Sequence, residues 1–120
     1  MHYLIDGYNL AHWLADDVDM SPAELRATLL GRLRACIPAD SESLTVFWDV
    51  RNPHPNLPGS ESLGWCQVRN VPDADAAIID TVWASDAPHR MTVVSRDREV
   101  TGKSRQLGAK VASPRDLLGR

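Results

Sequence analysis

The chain has 120 residues, 43% of them hydrophobic, and a formal net charge of −3. That is the size of one ordinary domain, long enough to bury a core without disulfide or metal staples. No apolar run approaches the ~20 residues of a membrane span, and no basic stretch leading into an apolar core opens the chain. The expectation is a cytoplasmic protein with no membrane partner.

Cys36 and Cys66 lie in different segments, without metal-ligand spacing, and are expected to be reduced. His2, His12, His54 and His89 are scattered, so any catalytic metal would have to be held mainly by oxygen. Charge is uneven. Residues 1–89 carry 5 Lys/Arg against 13 Asp/Glu, whereas residues 90–120 carry 8 against 3. An acidic part facing a basic part suits a metal site beside a phosphate-binding rim, although charge also falls unevenly in any short chain.

In chain order, residues 2–5 read as a buried strand running into Asp6. An unpaired buried charge is costly, so a carboxylate there is either a turn residue or part of a site. Residues 10–20, with Asp16, Asp17 and Asp19, read as a loop. "SPAEL" is a helix start, with Ser21 as N-cap, Pro22 at the first helical position and Glu24 closing a capping box. Leu25, Leu29, Leu33 and Cys36 then share one face, flanked by Leu30 and Ile37, and Pro38 ends the helix. "LTVFWDV" (44–50) is a second strand, again running into an aspartate, Asp49. The Pro-, Gly- and Ser-rich residues 51–64 read as a loop. "WCQVRNV" (65–71) is a third strand. A helix follows from Pro72 and Asp73 to about Ser85, with Ile78, Ile79, Val82 and Trp83 on its buried side. "MTVVS" (91–95) is a fourth strand, "RDREVTGKSRQLG" a helix closed by Gly108, "AKVA" (109–112) a short fifth strand, and "SPRDLL" another Ser-Pro helix start.

Strands alternating with helices predict a three-layer α/β/α sandwich, with about five strands in a central, mainly parallel sheet and one domain spanning residues 1–120. In such a sheet all strand C-termini lie at one edge, and ligands bind where the strand order reverses. Asp6 and Asp49 end strands, Asp97 lies just past one, and Asp73 and Asp75 open a helix. All five are thus expected at that edge. Crowded carboxylates resist ionising together. A divalent cation relieves this, and hard oxygen ligands suit Mg²⁺ or Mn²⁺. Such ions activate water and clamp the oxygens of an in-line displacement at phosphorus. Each acid has a simpler reading too. Asp6 with Gly7 could be a plain turn, Asp73 is well placed as an N-cap, and Asp75 and Asp97 suit the first turn of a helix. Asp49 stands evenly between direct ligand and supporting residue. No Gly-rich phosphate loop is present.

The ordered pieces "LIDGYNLAH", "WD", "DADAAI", "VVSRDRE" and "LGA" resemble the NYN branch of the PIN-like nucleases, and most closely its YacP-like group. The resemblance spans nearly the whole chain. It implies a PIN-like fold with strand order 3-2-1-4-5 and a metal-dependent endoribonuclease using Mg²⁺ or Mn²⁺. It also implies site acids at Asp6, Asp75 and Asp97, with Asn9 beside them. Ala76 stands where the family often carries a further acid.

RNA is then the expected partner. Arg96, Arg98, Lys103 and Arg105, with Arg51 beside Asp49, are candidates for a positive rim whose grip would weaken with salt. Tyr8, Trp13 and Trp65 are candidates for stacking on bases, each with core packing as the alternative. A ribosome or a partner protein could deliver the RNA, and a homodimer could enlarge the binding surface. Two other readings compete. One is a catalytically weak RNA-binding or partner-binding module, motivated by Ala76. The other is a phosphoacceptor receiver-like domain, which would want paired acids after the first strand, where Gly7 follows Asp6.

Overall fold

The structure, a computed structural model, describes residues 1–16, 19–50 and 57–119. Six strands form one sheet: β1 (His2–Asp6), β2 (Ser43–Asp49), β3 (Ser60–Ser62), β4 (Gln67–Val71), β5 (Met91–Val94) and β6 (Lys110–Ala112). Among the described residues five α-helices accompany them: α1 (Gly7–Ala15), α2 (Pro22–Ala35), α3 (Ala74–Trp83), α4 (Arg98–Gln106) and α5 (Pro114–Leu118). The strand order is β3-β4-β2-β1-β5-β6. All pairings are parallel except β3 with β4. The five strands read from the sequence therefore take the expected 3-2-1-4-5 order, and β3 adds an antiparallel edge.

Alternation along the buried strands divides the core in two, because successive side chains point to opposite faces. Ile5, Val46, Trp48 and Val94 pack with α1, α2 and α5 through Leu10, Leu29, Leu33 and Leu118. Leu4, Phe47, Val71 and Val93 pack with α3 and α4 through Ala74, Ile78, Val82 and Val100. This is the expected three-layer sandwich.

Both Ser-Pro helix starts are formed as read. Ser21 and Glu24 close a capping box on α2, and Ser113 and Asp116 close one on α5. Each satisfies two backbone N–H groups that a helix end otherwise leaves without partners.

Five readings need correction. Residues 10–20 are not a loop throughout, because α1 runs from Gly7 to Ala15. Its turn directly out of β1 is allowed by Gly7. A Cβ there would stand 2.6 Å from Trp48 and 2.7 Å from the Phe47 carbonyl, closer than packed atoms tolerate. Within residues 51–64, the described part contains the edge strand β3, whose exposed Ser-Glu-Ser lacks the apolar alternation that marks a strand. The third strand starts at Gln67 rather than residue 65. Trp83, expected inside, is 74% exposed at the last position of α3, and Ile79 is only partly buried. On α2, Leu25, Leu29 and Leu33 are buried as expected, while Cys36 is partly buried and Ile37 is exposed.

Candidate active site

Chain direction reverses its march across the sheet between β1 and β5, so the crevice at their C-terminal ends is the expected ligand site of this architecture. Asp6 ends β1 there and is 4% exposed. It occupies the N-cap position of α1, yet its side chain makes no capping hydrogen bond. It is therefore not the plain turn residue that was the simpler reading. Instead its Oδ2 accepts a hydrogen bond of 2.9 Å from the Ser95 hydroxyl. The Ser95 oxygen in turn accepts the Asp97 N–H at 3.0 Å. One buried serine thus links the ends of the two switch-point strands.

The Asp6 carboxyl is pushed up to about 6. Burial is the main cause, and the Ser95 hydrogen bond opposes it. The Asp75, Asp49 and Asp97 carboxylates raise it further. Asp75, in the first turn of α3, is also raised, first by burial and then by Asp97, Asp49, Asp73 and Glu99. The geometry thus brings four sequence-distant acids into one electrostatic group, with Asp73 at its margin.

Three of these acids also hold helix ends. Asp49 Oδ1 accepts the Ala74 N–H at 2.7 Å. Asp73 is the N-cap of α3, accepting the Ala76 N–H at 3.1 Å. Asp97 is the N-cap of α4, accepting the Glu99 N–H at 2.9 Å. Each of these bonds uses one carboxylate oxygen and leaves a second, which has no hydrogen-bond donor among the described residues. The donor set is made of hard oxygens and suits Mg²⁺ or Mn²⁺. Among the described residues no three His, Cys, Asp or Glu side chains already stand as a metal-holding group. What fits an ion here is the donor chemistry together with the burial and the neighbouring carboxylates that raise Asp6 and Asp75.

Around the acids, Asn9 Oδ1 accepts the Arg96 N–H at 3.0 Å, tying α1 to the turn after β5. Arg96 and Arg98 are exposed. Lys103, proposed for phosphate, instead lies 2.9 Å from Glu99 one helical turn away, an exposed pair of the weak kind. Arg51 lies outside the described residues. Tyr8 is used in packing. Its ring meets Trp48 edge-on at 4.8 Å and its hydroxyl accepts from Arg26 Nε at 2.9 Å. Trp65 packs partly buried against the core, as does Trp13.

Sequence reasoning missed Ser95 and Glu99. A hydroxyl closing the apolar run "MTVVS" was the available signal for Ser95. Glu99 carried none beyond its place in the first turn of α4.

The reversal between β1 and β5, with an antiparallel strand at one margin of a mainly parallel sheet, is a fold of the NYN type. More narrowly it is YacP-like. The chain is similar to the crystal structure of a mutant of Rae1 (YacP) from Bacillus subtilis, with a TM-score of 0.71 and 21% identity, over 98% of this chain and 72% of that one. At that identity the likeness is one of fold. No family model matches the sequence, and no curated protein does.

Proposed function

We propose that the chain is a metal-dependent endoribonuclease, with Asp6, Asp75 and Asp97 as the catalytic acids and Asp49 and Asp73 beside them. The observation that carries this reading is the buried Asp6 carboxyl, raised by burial and by acids from three other segments at the switch point. A nuclease-like, YacP-like fold supports it.

Mg²⁺ or Mn²⁺ bound by these oxygens would supply an activated water and polarise a phosphoryl oxygen. The chain's own residues do the rest. The Ser95 hydroxyl fixes one Asp6 oxygen, leaving the other without a hydrogen-bond donor among the described residues. Asp49 and Asp73 hold the start of α3, which presents Asp75. Asn9 holds the backbone of Arg96, so that Arg96 and Arg98 flank the acids and receive phosphates. Arg51 is a further candidate for that role, and Lys103 would have to leave Glu99 to join it.

The test is cleavage of labelled RNA by purified protein with Mn²⁺ or Mg²⁺. Turnover should vanish with chelator and in Asp6→Asn. Turnover that survives both rejects the proposal. The alternative, a catalytically weak RNA-binding module, is motivated by Ala76, an exposed methyl group whose backbone N–H is taken by Asp73. RNA affinity without metal-dependent turnover would establish it.

A further inference from the structure

Beside the acids lies a hollow of about 290 Å³ lined by Trp13, Asp16, Arg96 and Arg115. Its position follows from the site. Asn9, which holds the Arg96 N–H, and Trp13 are four residues apart on α1, hence on one face of that helix. Arg96 follows Ser95, the partner of Asp6. Arg115 enters from α5, which follows β6 and packs in the same layer as α1. Three separate segments therefore converge on this space, and one of them, at Arg96, lies between Ser95 and Asp97 in the chain.

The chemistry of the hollow is specific. Trp13 packs one part of its surface on the core and turns another to the hollow. An indole held from behind is a stacking platform with little side-chain freedom left to lose. Neither guanidinium is in an ion pair among the described residues. Two guanidiniums against one carboxylate leave the hollow net positive, which complements a single phosphate. Asp16 is an acceptor suited to the exocyclic amino group of a base. The volume is at the small end for ligand pockets, and suits one nucleotide rather than a duplex.

We infer that this hollow is the subsite for one unpaired RNA nucleotide next to the scissile phosphate, with its base on Trp13 and its phosphate between Arg96 and Arg115. The inference rests on the ribonuclease reading, and it makes single-stranded RNA the substrate class.

The test separates binding from cleavage. A short fluorescein-labelled single-stranded RNA is titrated with the full chain in EDTA, and anisotropy reports affinity. Arg115→Gln, at an exposed position, and Trp13→Ala should each weaken binding by about tenfold. Trp13→Phe, which keeps a stacking face, should retain most of the affinity. Arg34→Gln, at an exposed position of α2 that does not line the hollow, should behave as the parent. Arg115→Gln should also lower the slope of log affinity against log salt by about one. A single abasic position in the RNA should remove the Trp13→Ala effect. Unchanged affinity in Arg115→Gln and Trp13→Ala, or no binding by the parent, overturns the subsite. Cleavage is read separately with Mn²⁺. A parent that binds through the hollow but never cleaves rejects the nuclease reading alone. A parent that cleaves while these variants keep full affinity rejects the subsite alone.

Discussion

The two edges of the sheet hold carboxylates in opposite company. At the N-terminal edge, Glu42 lies 2.7 Å from the Met1 ammonium and also pairs with Arg90 and His2. It is pulled down to about 2, first by its hydrogen bond to the Met1 ammonium and then by Arg90. At the C-terminal edge, Asp6 is pushed up to about 6 by burial and by other acids. One edge is neutralised by cations of the chain itself. The other gathers acids that, among the described residues, are held by the Ser95 hydroxyl and by backbone N–H groups and by no cation. A carboxylate's residue type thus says little about its role, and the direction of its shift reflects what surrounds it.

Substitutions can break this contrast. The largest effect is expected from Asp6→Asn, which should lower RNA cleavage by at least about 10²-fold, a loss typical of removing one essential electrostatic group. The same variant should be more stable at neutral pH without metal. The folded Asp6 binds its proton more tightly than the unfolded chain does. Its favourable contribution is therefore full below about pH 4 and lost as pH rises through about 6. A shift of that size corresponds to about 2–3 kcal/mol, visible as a higher melting temperature for Asp6→Asn at pH 7. Equal melting temperatures would mean that the buried charge is compensated. Added Mn²⁺ should raise the parent's melting temperature and leave the variant nearly unmoved.

Ser95→Ala keeps every acid and removes the bridge between them. It should weaken Mn²⁺ affinity by about 10–100-fold, as loss of a group orienting a ligand does, and it should push the Asp6 carboxyl higher still. Titration calorimetry checks the first and carboxyl NMR the second.

Gly7→Ala tests whether the site depends on the close turn from β1 into α1. The overlap with Trp48 and Phe47 should destabilise the fold by about 1–3 kcal/mol in urea unfolding. The smallest effect belongs to Glu42→Gln. Cleavage should be unchanged, and the melting temperature should be slightly lower than the parent's at neutral pH, with the difference closing as pH falls towards about 2. The stabilisation from Glu42 is present above the unfolded value of 4.5 and is lost as pH falls towards about 2.

Much of the fold was legible because the buried strands carry β-branched and apolar runs and because two helices announce themselves with Ser-Pro capping boxes. The placement of the acids followed from parallel-sheet geometry, and their pairing energetics did not. Asp49 and Asp97 look alike as residues near strand ends, yet only the folded chain shows which backbone N–H groups they hold. α1 was missed because its helical face mixes Asn9, His12 and Trp13 and because a run of aspartates follows it. β3 was missed because a three-residue edge strand needs no core face. Trp83 misled because hydrophobicity was taken as burial, and a residue on the last turn of a helix can overhang the core it was expected to enter.

The hydrogen bonds that assemble the acid edge join residues 89 and 87 positions apart, Asp6 with Ser95 and Asn9 with Arg96. Contacts of that separation form late, after the intervening chain has collapsed. A nascent chain therefore carries Asp6 through most of its synthesis without the strand that completes the cleft. Any hydrolytic capacity would switch on in a single late step, when β5 docks alongside β1. Partly made or truncated copies would be silent rather than weakly and indiscriminately destructive. On the proposed ribonuclease reading, topology itself would act as the safety catch.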